Sequence, residues 1–281
     1  VQTSGATLNN FTGPLAYTVT AADATTAIYT VTVVTNIPNL GAAAPFGGLG
    51  GGAGMTNQGI LTVITGDIGT TGVSTTMTGF HDSTGDEYIE TLLNVGNVTG
   101  RIYTAPPPPV IFGAGGPFGG TAATALIANN AAAAALNAYN YLKGLPGGAF
   151  AGAGDLGGLT LAPGTYTSAT SFQITTGDLT LNGTANDIWV FQMGSSLTVG
   201  APGFPRNVIL TGGALANNVF WQVGSAARIE NRCNMVGTII GFSGVTISTA
   251  GELQTTTLNG RALGLNASVT VVNTLINVPA P

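Results

Sequence analysis

The chain has 281 residues, 44 of them glycine; only 6% are charged, and the net charge is −5. Ordinary soluble domains are about 25% charged, and disordered chains are charge-rich and poor in β-branched residues, so this composition excludes disorder and indicates an all-β protein surfaced with small neutral groups. The six basic residues (Arg101, Lys143, Arg206, Arg228, Arg232, Arg261) are scattered, which excludes the basic face that nucleic acid or an anionic membrane demands, and no run of about 18 apolar residues is present to insert into a bilayer.

In chain order, residues 17–20 and 28–33 are alternating runs around a polar turn at 23–26, which predicts a hairpin. The stretch resembles the last strands of bacterial immunoglobulin-like repeats, but it is too short for such a sandwich. Residues 1–39 are therefore read as an N-terminal hairpin, either a remnant of such a domain or a small hairpin docked on the main one, and 40–281 as the main domain. Short Thr- and Val-rich runs between glycines follow, as in GILTVITGDIG (59–69), and then a proline run and glycines at 105–120 that cannot be regular.

Residues 121–143 predict one helix. Thr121 can cap its start, Lys143 suits the negative C-terminal end, and Gly144 with Pro146 stops it. Leu126, Ile127, Leu136, Tyr139 and Leu142 form its expected apolar stripe, while its many alanines permit close approach to a flat surface. At about 1.5 Å per residue the helix is ~34 Å long.

After the helix the sequence repeats. DIWVFQMGSSLTV (187–199) aligns with NVFWQVGSAARI (218–229), which sets Gln192 over Gln222. GTIIGFSGVTI (237–247) aligns with GRALGLNASVTV (260–271). Repeats of this kind, with several short strands per period, are the signature of a parallel β-helix. About seven rungs give a stack near 34 Å, matching the helix. WVFQM, VFWQV, GTIIG and RALGL are apolar on both faces, so they are the expected contact of the helix.

Here a resemblance becomes specific. LGAAAPFGGLGGGAGMTNQG (40–59), TVITGDIG (62–69), GDLGGLTLAPGTYT (154–167), VFQMGSSLT, NNVFWQVGSAA and VTVVNTLINV (269–278) resemble the microbial ice-binding protein family over about residues 40–278. The resemblance implies a discontinuous right-handed parallel β-helix, a three-sided solenoid with one long α-helix packed alongside. Residues 80–120 exceed the usual capping segment and are expected to form an enlarged cap over one end. The implied function is adsorption to ice, inhibiting crystal growth and recrystallisation or attaching a cell to ice. The competing reading is a structural or adhesive solenoid that binds carbohydrate or protein. The expected partner is an ice crystal surface, without nucleic acid or membrane insertion. The protein is expected to be monomeric, and secreted or on the cell surface.

Enzyme chemistry is weakly supported, and no catalytic residue, metal site or cofactor is expected. His81 is the single histidine and lies in a polar loop without a nucleophile-elbow pattern. The acids Asp82, Asp86, Glu87 and Glu90 do not match a calcium-loop spacing, and Cys233 is alone.

Alternation assigns the surface. In SSLTV, VTIS and SVTV the residues Ser196, Thr198, Thr246, Ser248, Ser268 and Thr270 point outward, which makes them the expected ice-binding set. Stacked rungs would place them about 4.8 Å apart between strands and ~6.7 Å along them, near repeats of the ice lattice. Thr loses little rotamer entropy there, because its β-branch already restricts χ1. Ala226, Arg228 and Glu230 fall on the same face, and the charged pair interrupts it. An alternative face is therefore kept: Thr65, Thr180, Asn182, Thr211, Thr257 and Asn259, with Ile209 also outward.

Overall fold

The computed structural model describes residues 15–31, 38–108, 119–150 and 154–280. The chain divides into two compact units, Val1–Ile37 and Pro38–Pro281. In the first, strands Leu15–Thr20 and Thr26–Val31 pair antiparallel, Leu15 opposite Val31 and Thr20 opposite Thr26. Asp23 fixes the turn: its Oδ1 accepts from the Thr25 amide at 3.0 Å and the Thr25 hydroxyl at 2.6 Å. Residues 32 and 33 of the expected second strand lie outside the described residues.

The second unit is a parallel β-helix with three faces, in accord with the expected architecture. The helix-covered face stacks Gly164–Ser168, Trp189–Met193 and Val219–Val223 below the C-terminal halves of Asn234–Gly241 and Thr256–Gly264. Every residue of Trp189–Met193 and Val219–Val223 is buried, because these strands have protein on both sides. Trp189, Phe191 and Trp221 face the solenoid interior, while Val190, Phe220, Ile240 and Leu263 face the helix. Gln192 pairs with Gln222 as the repeat implies. At the edge of this face Gly237 sits in register with Gly260, and a Cβ on Gly260 would stand 1.8 Å from the Gly237 carbonyl oxygen. Glycine at this corner lets one strand run continuously from the third face onto the helix-covered face.

The stack does not follow chain order. Phe46–Gly50, Met55–Asn57 and Thr62–Ile64 pair in parallel with Thr256–Gly264, Val269–Val271 and Thr274–Asn277, strands more than 200 positions away in the chain. The N-terminal coil thus lies on the C-terminal one, which is the discontinuity. Above it, Gly96–Val98 pairs with Thr62–Ile64 and Ile102–Ala105 with Asp67–Val73. The pair Phe80–His81 and Glu87–Tyr88 is antiparallel and ends the parallel ladder. Residues 109–118 of the expected cap lie outside the described residues.

The helix spans Ala122–Gly144, with Thr121 as its N-cap in a reciprocal pair with Thr124. Its contact face corrects the sequence expectation. Ala128, Ala131, Ala135, Ala138, Tyr139 and Leu142 are buried, whereas Leu126, Ile127 and Leu136 are exposed. Small residues let the backbone lie close to a sheet already filled by Val190, Phe220, Ile240 and Leu263; three larger side chains there would force the elements apart. At its C-terminus, Gln192 Nε2 donates to the Leu142 and Leu145 carbonyls at 2.6 and 2.8 Å, satisfying acceptors that a helix end leaves open.

Candidate functional site

The face that follows the helix-covered one is a seven-stranded parallel sheet: Phe172–Ile174, Leu197–Val199, Ala227–Ile229, Val245–Ile247, Val269–Val271, Met55–Asn57 and Met77–Thr78. Each is short, and its first residue and, in the three-residue strands, its third are buried. Period-two geometry leaves the middle residue outward. The registers put those residues in one row: Gln173, Thr198, Arg228, Thr246, Thr270, Thr56 and Thr78. One pleat upstream, interstrand amide bonds connect a second row, Ser171, Ser196, Ala226, Gly244, Ser268 and Gly54, none larger than serine. Such residues keep the sheet level beside the threonines. Ser171 and Ser196 join through their hydroxyls at 2.9 Å.

Of the expected set, Ser196, Thr198, Thr246, Ser268 and Thr270 lie on this face, part-exposed. Ser248 does not: it is 1% exposed, with its hydroxyl unpartnered among the described residues. Strict alternation assumed that the strand continues, but it ends at Ile247. Ser248 turns the corner with φ +70, which swings its side chain off the face. Thr56 and Thr78 were missed. The signal was present in GMTNQG and TTMTGF, where buried methionines alternate with outward threonines.

The Arg228 guanidinium is held by its neighbours. Its Nε and Nη2 donate to the Glu230 carboxylate at 2.8 and 3.0 Å, and Nη2 also meets the Thr249 hydroxyl. The Glu230 side chain is only 12% exposed. The hydrogen bond from Arg228 holds the Glu230 carboxyl below its ordinary range, against a smaller opposing effect of burial.

The alternative face is less uniform. Asn182, Thr211 and Asn259 are exposed and Thr65, Thr180 and Thr257 partly so, but Thr180 pairs with Ile209 and Thr257 with Leu275. Thr65 Oγ1 is occupied, donating to the Ile276 carbonyl and accepting from the Val278 amide. The short helical turn Ala216–Asn218 lies against the strand Asn234–Gly241, and Val236 in that strand is buried. Asn217 Nδ2 donates to the Ala280 carbonyl, tying the turn to the last described residues of the chain.

The residues weighed for other chemistry have structural partners. His81 Nδ1 lies 2.8 Å from Glu90 Oε1. Asp82 is buried and its carboxylate accepts from the Thr84, Asp86 and Ile102 amides and the Thr84 hydroxyl. Cys233 is buried, and burial pushes its thiol pKa up. Among the described residues no group of three or more His, Cys, Asp or Glu is placed to hold a metal ion. No helix there is long and apolar enough to cross a membrane.

Comparison with known proteins agrees with this geometry. The chain is 38% identical over 128 residues to an ice-binding protein of Colwellia sp., covering 46% of this chain and 47% of that protein. It is 39% identical over 137 residues to an ice-binding protein of Nostoc sp. (strain HG1), covering 48% and 47%. The matches thus span about half the length of these curated relatives. Among solved structures, an ice-binding protein from Arctic yeast, described by its antifreeze activity, superposes with a TM-score of 0.71 at 30% identity, covering 89% of this chain and 98% of that one. The ice-binding protein of the Antarctic ascomycete Antarctomyces psychrotrophicus gives 0.67 at 29% identity, covering 86% and 98%. These relatives point to a non-catalytic role. The family model described as ice-binding-like matches residues 49–277, and the chain belongs to that family.

Proposed function

We propose that this chain adsorbs to ice through the seven-stranded threonine face and thereby slows crystal growth and recrystallisation. One observation carries the reading: Thr198, Thr246, Thr270, Thr56 and Thr78 stand in a single register-locked row, beside a second row of residues no larger than serine. A crystal surface is flat and periodic, and a parallel sheet repeats at about 4.8 Å between strands. The Thr methyl orders nearby water while its hydroxyl joins that water's hydrogen-bond network. Charges would hold hydration shells of their own, and the row's single cation is tied to Glu230. The helix seals one face, and the third carries Ile209 and Leu275 among its polar residues. Adsorption to ice calls for a protein outside the cell or on its surface, and the same proposal takes it as a monomer without catalytic activity.

The test is a set of four surface substitutions scored by thermal hysteresis and recrystallisation inhibition. Thr198→Tyr and Thr270→Tyr lower activity strongly while stability changes by no more than about 0.5 kcal/mol, as at ordinary surface sites. Thr180→Tyr and Thr257→Tyr leave activity intact. Loss in the second pair alone moves the site to the third face, and retention in all four removes both faces.

A further inference from the structure

Six of the seven residues in the central row are uncharged. The seventh, Arg228, sits between Thr198 and Thr246 in register, near the middle of the face. An arginine is far longer than a threonine, and a free guanidinium carries its own bound water. Left loose, it would stand above the hydroxyls on either side. In this structure Glu230, two residues on and on the same side of the strand, takes the guanidinium in a two-point contact at 2.8 and 3.0 Å. Thr249, in the turn after the next strand, meets the same Nη2. Three contacts thus draw the guanidinium along the strand toward the edge of the face. Exposed ion pairs are usually weak, but a two-point arginine–carboxylate contact is the exception because the planar fork matches both oxygens. Glu230 is also closely packed: a Cβ on Gly200, in the neighbouring strand's exit, would stand 3.1 Å from Glu230 Cβ and 2.7 Å from Cys233 Sγ, and Gly200 has a positive φ of 78, so a larger residue there would be strained and crowd the turn.

Resting on the ice-adsorption reading, we infer that Glu230 is a positioning residue of the ice face, which pins Arg228 flat and cancels its charge so that the threonine row stays level and neutral. The salt bridge is then part of the surface's shape, and its integrity sets activity without altering the fold. The arrangement also couples activity to acid. The ionisable group acting on Glu230 is Arg228, two residues before it, and the Glu230 charge in turn helps burial to raise the pKa of the Cys233 thiol in the turn that follows. The flanking strands present Thr198 and Thr246, and the turn after the second presents Thr249. Arg232 and Glu252 pair with one another at 3.7 Å nearby. Because Arg228 lowers the Glu230 pKa, the pin holds above that lowered value and is released as pH falls through it.

The experiment compares Glu230→Ala, the double variant Arg228→Thr/Glu230→Ala, and Thr246→Tyr, each by thermal melt and by recrystallisation inhibition. Glu230→Ala frees the arginine, so the concentration needed to stop recrystallisation rises several-fold. The double variant replaces the cation with the row's own residue and returns it to the wild-type value or below. In the wild type, the same loss appears as pH falls through the Glu230 titration, and the double variant shows a flat profile. Full activity in Glu230→Ala, or no recovery in the double variant, overturns the inference. If the Glu230→Ala melt shows a folding defect, the acid arm on the wild type decides: a pH profile no steeper than that of the double variant overturns it. Thr246→Tyr separates the two levels. If it abolishes activity while Glu230→Ala changes nothing, only the pinning fails; if it also keeps full activity, the face itself is wrong.

Discussion

The contact between helix and sheet makes a sharp prediction because the small residues, and not the large ones, are buried. Ala135 is fully buried among Ala131, Ala138 and Leu142, opposite a sheet whose helix-facing side chains include Phe220 and Ile240. Ala135→Leu adds three carbon atoms where no room exists, and overpacking of this kind costs about 1–3 kcal/mol. For a domain of this size each kcal/mol shifts the melting temperature by roughly 2–4 °C, so the variant melts ~2–12 °C lower. Leu136, the next residue, is 43% exposed. Leu136→Ala therefore stays within about 0.5 kcal/mol, as surface changes do, whereas a buried leucine would lose ~2–5 kcal/mol. Thermal and urea unfolding of both variants, followed by circular dichroism, reads the difference. An unchanged melt for Ala135→Leu together with a large loss for Leu136→Ala would refute the reasoning and restore the stripe of large residues as the contact.

Three further outcomes follow. Ser248→Gly leaves ice activity unchanged, since the side chain is buried, and raises stability by about 1 kcal/mol through relief of a left-handed backbone and removal of an unpartnered hydroxyl; a drop in recrystallisation inhibition would put Ser248 back on the face. Burial alone would raise the Asp155 pKa, but hydrogen bonds from Thr175, Gly157 and Thr176 outweigh it and hold it below the ordinary carboxylate range. Its contribution is thus present above the unfolded value of about 3.9 and is lost as pH falls through the lower folded value; Asp155→Asn flattens this part of the stability–pH curve, and an unchanged curve would contradict the assignment. A chain beginning at Pro38 unfolds cooperatively and keeps its ice activity, because residues 1–37 form a unit of their own; a non-cooperative melt would show that they are needed for the core.

Much of the solenoid was legible because period-two alternation and repeat spacing are local. WVFQM and VFWQV read as doubly covered strands, and Gln192 fell over Gln222 as the repeat required. Thr198, Thr246 and Thr270 were found by the same rule. That rule fails where a strand stops: Ser248 lies one residue past Ile247, and its positive φ cannot be read from the letter Ser. The joining of Met55–Asn57 to Val269–Val271 was not derivable from spacing, since nothing local records a contact between segments so far apart. Thr56 and Thr78 alternate with buried methionines as the rule requires, but without that joining nothing placed them on the same face as Thr270. In the helix, the rule that larger apolar residues face inward was overridden by the closeness of a flat sheet. The pairing of Arg228 with Glu230 reversed the meaning of a charged interruption, because sequence shows the charges but not that they cancel within the surface.

The most direct test of ice adsorption through the threonine face is to grow a single ice crystal in the full chain, fluorescently labelled on its N-terminal hairpin, beside the labelled double variant Thr198→Tyr/Thr270→Tyr. The wild-type chain becomes incorporated into defined planes of the crystal and the double variant is excluded with the liquid. Exclusion of the wild-type chain, or equal incorporation of both, would contradict it.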